Sequence, residues 1–181
     1  MKKRLALCAI FLFVFVCLNE LNSVNNRYVP APYVVMANEI IAEVEARLTK
    51  RYKMKAISAT SGMADCFNVV GLGFKIKGPL TREQIRKILI DCVEEFLTTI
   101  NANERLRPFL KTDPFTEKGI IITLFISDSE GKDIYDPEIM VATSYHGHVS
   151  YATKAKDQEF GYKQEFDEDY ETAFKLVKDS K

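Results

Sequence analysis

The sequence predicts an α+β domain: a mainly antiparallel sheet of about four strands with three helices packed on it as a two-layer sandwich. Three observations carry that expectation. Apolar residues recur at helical spacing in segments near 38–52, 81–100 and 167–177. Alternating or β-branched runs occupy 66–77, 119–127 and 139–153. The late strands follow one another through connections too short for a crossover helix, which argues for local antiparallel pairing.

The chain opens as a secretory leader. Lys2, Lys3 and Arg4 form a charged flank, and the uncharged run from Leu5 to Leu18 is short for a permanent membrane span of about 20 residues. Residues 1–23 are therefore expected to be a signal peptide cleaved near Ser23. Val35-Met36-Ala37 offers a second small-x-small site, but far beyond the apolar run. Cys17 ends that run, yet Val14-Phe15-Val16 before it are bulkier than a lipid-attachment motif allows, so an acyl anchor is not expected. Export places the domain in the periplasm or outside the cell.

Residues 24–37, with Pro30 and Pro32, read as an extended lead-in to a single domain over 38–181. Ala37, Ile40, Ile41, Val44 and Leu48 make the stripe of the first helix, with Asn38 as its cap and an end near Tyr52. Residues 55–65 are small and polar, and fit a strand or a loop. Val70, Leu72, Phe74 and Ile76 then alternate with glycine and lysine as one half-buried strand, closed by Gly78-Pro79. Thr81 and Gln84 form a capping box for a second helix with the stripe Ile85, Ile88, Leu89, Cys92, Val93, Phe96 and Ile100.

Asn101-Ala102-Asn103 ends that helix, and the two prolines in 104–118 predict an irregular connection. Gly119–Ser127 reads as a buried strand. Ile139, Val141, Thr143 and Tyr145 lead into a tight hairpin at His146-Gly147, after which Val149, Tyr151 and Thr153 continue the alternation. Asp167 is the expected cap of a last helix carrying Tyr170, Ala173, Phe174 and Val177.

Loss of the leader removes three basic residues and Glu20 from a chain of formal net charge +0, leaving a slightly acidic protein. Arg82, Arg86, Lys87, Arg105 and Arg107 are interleaved with acids, so no basic stripe for nucleic acid exists. Among the four cysteines only Cys66 and Cys92 lie beyond the leader. In an oxidising compartment they are candidates for a disulfide, closing a loop of roughly 25 residues and contributing about 3 kcal/mol. The alternative is two separately buried thiols.

Chemistry-bearing residues are few. His146 and His148 are the only histidines; they could hold a metal only with further ligands, and otherwise His146 serves the turn. Ser61, in the stretch Thr60-Ser61-Gly62-Met63, is a candidate nucleophile that would need one of those imidazoles as base. Gly71-Leu72-Gly73 lacks the third glycine of a dinucleotide-binding turn, and no cofactor is expected. Arg105 and Arg107, beside Pro108, are candidates to hold a carboxylate of a ligand or of the protein itself.

Asn103, Arg107, Pro108, Phe109, Leu110, Pro114, Phe115 and Thr116 form a pattern Asn…Arg-Pro-Phe-Leu…Pro-Phe-Thr. With the leader and the glycine-bearing stretch upstream, it resembles a group of uncharacterised secreted proteins of intracellular bacteria. That resemblance implies export and no particular activity.

Three functional readings follow. The first is a non-catalytic exported protein that binds another protein or a surface, through an apolar patch that would involve Tyr145 and Tyr151. The second is a small secreted hydrolase using His146 or His148 with Ser61 or a carboxylate. The third is a metal-binding protein working through the histidine hairpin. The first is preferred, because no acid, base, nucleophile and metal set is assembled in the chain.

Overall fold

Apolar spacing and proline placement set the first helix. A computed structural model describes residues 29–62, 66–157 and 160–180. The leader, its cleavage point and Cys17 lie outside the described residues. Helix α1 spans Pro32–Tyr52, so it begins well before Asn38 and the extended lead-in does not reach Ala37. Proline is no obstacle there: at the first helical position its missing N–H would have had no partner, and its fixed φ suits the helix. Met36 and Ala37 accordingly join Ile40, Ile41, Val44 and Leu48 in one buried stripe.

Strands β1 (Lys55–Gly62) and β2 (Val69–Lys77) form an antiparallel pair. Helix α2 (Arg82–Asn101) starts at the expected capping box. The Thr81 hydroxyl accepts the Gln84 N–H at 3.3 Å, and the Gln84 side chain accepts the Thr81 N–H at 2.9 Å. After an irregular connection with 3₁₀ turns at Arg107–Phe109 and Glu117–Gly119 come β3 (Ile120–Ser127), β4 (Ile139–Tyr145), β5 (His148–Thr153) and β6 (Gln164–Asp169). Helix α3 (Tyr170–Asp179) closes the fold, with Asp169 rather than Asp167 as its cap, accepting the N–H groups of Glu171 and Thr172.

The six strands lie side by side in chain order, each antiparallel to its neighbour except β2 and β3, which run parallel. The expected sheet of about four strands is thus a six-stranded mixed one. Helix α2 explains the parallel pair: its 20 residues rise about 30 Å, enough to return the chain to the end of the sheet from which β2 set out. The two strands that sequence pattern underestimates, β1 and β6, are the sheet edges. Their residues, KAISATSG and QEFDED, are mostly exposed, so they carry no buried alternation. Charge on an edge strand also discourages pairing with other chains.

Helix α1 packs on β1 and β2, α2 on β3 and β4, and α3 on β5 and β6, while α2 touches both of its neighbours. The core between these layers is continuous. It takes Val70, Leu72, Phe74 and Ile76 from β2, Ile120, Ile122, Leu124 and Ile126 from β3, and Ile85, Leu89, Val93 and Phe96 from α2. Burial at about 25 cal/mol per Å² of apolar surface is what holds this layer to the sheet. At the parallel seam a side chain on Gly71 would stand 2.3 Å from the Ile121 carbonyl oxygen, so close strand approach requires glycine there.

Candidate functional site

The two faces of the sheet differ, and the hairpin decides which residues meet on each. Tyr145 pairs with His148 and Ser144 with Val149 across the two-residue turn. Partners across a ladder share a face, so odd-numbered positions of β4 share a face with even-numbered positions of β5. Tyr145 therefore sits on the face away from the helices and Tyr151 on the face beneath them, 49% and 1% exposed respectively. The expectation that both belong to one exposed patch is corrected by this register. His146 and Gly147 have φ of 50° and 83°, the left-handed conformation that a tight hairpin turn needs.

The open face can be read row by row from the registers. One row crosses Ser58, Gly73, Thr123, Thr143, Ser150 and Asp167; the next crosses Lys55, Lys75, Phe125, Val141, Ala152 and Glu165. Toward the hairpin Ile121, Tyr145, His148 and Asp169 continue the pattern. Small and hydroxyl-bearing residues keep this surface flat. Phe125 is 39% exposed, and Tyr162, also exposed, lines a small recess with Val141, Ala152 and Glu165. Basic charge lies on the β1–β2 side at Lys55, Lys75 and Lys77, and acidic charge on the β6 side at Glu165 and Asp167. No described helix covers this face.

Beneath the helices the β6 edge is tied down by charge. Arg86 of α2 makes a bidentate pair with Glu168, Nε to Oε1 at 2.8 Å and the second nitrogen to Oε2 at 3.0 Å, and the Tyr151 hydroxyl donates to the same carboxylate. Burial alone would raise the Glu168 carboxyl. The hydrogen bonds from Arg86 and Tyr151, with the Arg86 and Arg82 charges, outweigh it and hold the group below its usual range. The Arg82 guanidinium lies over the rings of Phe166, 4.6 Å from its centroid, and Tyr151, at 5.2 Å.

The residues singled out from sequence do not converge. Ser61 pairs with Val70, which pairs with Ile120, and His146 falls in the same row two residues beyond Ser144, the partner of Ile122. Three strand spacings of about 4.8 Å put Ser61 roughly 14 Å from the hairpin, beyond hydrogen-bond reach. The His146 Nδ1–H donates to the Lys118 carbonyl at 3.2 Å. The ring faces a recess of about 270 Å³ lined by Asn68, Lys111, Thr112, Thr116 and Lys118, which contains neither Ser61 nor Arg107. His148 lies on the open face opposite Asp169, whose carboxylate is engaged in capping α3. Among the described residues no group of three or more His, Cys, Asp or Glu side chains is arranged to hold a metal.

Arg107 reaches Asp113 at 3.6 Å, both exposed, so its carboxylate partner is one of the protein's own. Arg105 lines an open groove of about 720 Å³ between α1 and the end of α2, with Glu43, Arg47, Glu95 and Asn103. Cys66 and Cys92 are free thiols. A strand beginning at Cys66 would have pointed that thiol to the core face with Val70, but β2 begins at Val69 and Cys66 lies on a bend before it. Cys92 is wholly buried, and burial raises its thiol well above the ordinary value.

The segment that carries the resemblance has a structural role. The Asn101 side chain brackets Phe115, accepting its N–H at 2.8 Å and donating to its carbonyl at 3.0 Å. Phe67 exchanges backbone hydrogen bonds with Phe109 and Lys111. Phe115, nearly fully buried, packs its ring against Phe67, centroids 5.2 Å apart. Comparison of the chain with protein-family models, with curated proteins and with solved structures found no match. Sequence reasoning missed Phe125, Tyr162 and the opposed charges of the sheet edges. The signal for Phe125 was present in GIIITLFIS, where one large aromatic falls at the odd position of an otherwise buried strand.

Proposed function

We propose that this chain is an exported, non-catalytic interaction protein whose open sheet face docks another polypeptide. One observation carries the reading. A six-stranded sheet leaves one whole face uncovered by the helices, and Phe125, Tyr145 and Tyr162 are exposed on or beside it. Exposed aromatics on a flat surface of small side chains, rimmed by charge, are a form that protein interfaces take. The separation of Ser61 from His146 weighs against the hydrolase alternative. The isolation of His146 and His148 from further ligands weighs against metal carriage.

Site-directed photo-crosslinking tests the proposal. A crosslinking residue placed at Phe125 or Tyr145 in the full chain, irradiated in the producing cells and their medium, is expected to give defined higher-mass adducts. The same residue at Leu176, exposed on α3, is the control and should give none. Absence of adducts from the sheet face, or equal labelling from Leu176, would sink the reading.

A further inference from the structure

Resting on the reading of the open face as a docking surface, we propose that its occupant is a second copy of this chain, stacked sheet on sheet about a two-fold axis parallel to the strands. Six strands in consecutive order place such an axis between β3 and β4. It lays β1 of one copy over β6 of the other, β2 over β5, and β3 over β4, while each row lies over itself. Lys55, on β1, then faces Glu165 of the second copy, and Lys75, whose ammonium donates to the Gly131 carbonyl of its own chain at 3.0 Å, lies one strand further in. Thr123 meets Thr143, and Phe125 comes over the position of Val141, which is itself only 8% exposed beside Tyr162.

The charge pattern singles out this axis. An in-plane axis perpendicular to the strands would set lysine against lysine and acid against acid. The parallel axis pairs opposite charges at both edges, as an isologous interface requires. Two sheets stacked face to face are a known stable packing, about 10 Å apart with strand directions within roughly 30°. Size is also sufficient. Strands about 4.8 Å apart and rows about 6.7 Å apart give each open-face position a footprint of about 32 Å², so three rows across six strands bury on the order of 1,000 Å² over two faces, where specific interfaces begin.

Charge exchange provides the experiment, read by sedimentation equilibrium on the full chain. The unmodified protein is expected to be a dimer. Lys55→Glu with Lys75→Glu makes both edges acidic, and Glu165→Lys with Asp167→Lys makes both basic. Each pair should weaken self-association at least tenfold. An equimolar mixture of the two should recover a heterodimer, since each acidic edge then meets a basic one. The chain carrying all four substitutions should again dimerise alone. All these positions are solvent-exposed, and thermal unfolding of each variant confirms that it is folded. An unmodified protein that stays monomeric, a dimer indifferent to the exchanges, or a mixture that fails to associate would each overturn the proposal. A monomer whose Phe125 and Tyr145 positions still crosslink to other proteins would overturn self-docking alone; no crosslink at all would overturn the broader reading.

Discussion

Adjacent residues of β3 divide the molecule in two. Leu124 is wholly buried under the helices, whereas its neighbour Phe125, on the other side of the same strand, is 39% exposed. Beneath the helices, aliphatic side chains from every layer interlock and the polar groups are paired, as Arg86, Glu168 and Tyr151 are. On the open face, side chains are small, hydroxylic or charged, with isolated aromatics. One face is built for stability and the other for contact, and the same strands serve both because successive side chains point in opposite directions.

The sharpest way to break this comparison is to make the same truncation on both faces. Leu124→Ala is expected to cost about 2–5 kcal/mol, through lost burial and the cavity left in a packed core. Phe125→Ala, which removes a larger side chain, should cost only about 1 kcal/mol when measured below the concentration at which the chain self-associates, because part of that ring is then already in water. Urea unfolding of the two variants reads the difference. Equal costs would mean that the open face is covered in solution, as a tight dimer would cover it, and the dimer's concentration dependence would then expose that cause.

The asymmetry was only half legible in the sequence. The helix-facing side was plain: the capping box at Thr81, the stripe through Phe96 and the alternation from Val70 to Ile76 all mark residues that face one core. The open face was not. Its character depends on register, and the pairing of Tyr145 with His148 separates Tyr145 from Tyr151, which alternation alone had joined. The edges were missed for a related reason. A strand such as Gln164–Asp169 has a partner on one side only and displays charge, so local pattern cannot distinguish it from the approach to a helix. Ser61 and His146 could be named from their chemistry, but only the strand order shows that two other strands lie between them.

A smaller effect should come from the charged tie beneath the helices. Because Glu168 is held below its ordinary range in the folded protein, it contributes stability above the unfolded glutamate pKa of about 4.3. That contribution is lost as pH falls through the lowered folded value. Glu168→Gln is expected to cost about 1 kcal/mol at neutral pH, since partial exposure screens the pair. The difference between the variant and the unmodified protein should shrink on acidification below about pH 4. Thermal unfolding across that range checks both the size and the sign; a difference constant with pH would assign the loss to packing.

The smallest expected effect on stability lies on the open face itself. Thr143 and Thr123 face each other across β4 and β3, with hydroxyl oxygens 3.4 Å apart, a weak contact at a half-exposed position. Replacing Thr143 by valine keeps the β-branched shape and removes only the hydroxyl, so stability of the isolated chain should change by less than about 0.5 kcal/mol. Association should respond more strongly than stability. In the stacked dimer Thr143 approaches Thr123 of the second copy, and a methyl in place of a hydroxyl makes the centre of that contact drier. Thr143→Val is therefore expected to tighten the dimer in sedimentation while leaving unfolding at low concentration unchanged. A loss of association instead would mean that the hydroxyl row bridges the two sheets through hydrogen bonds, and the open face would then be a polar interface with aromatic borders.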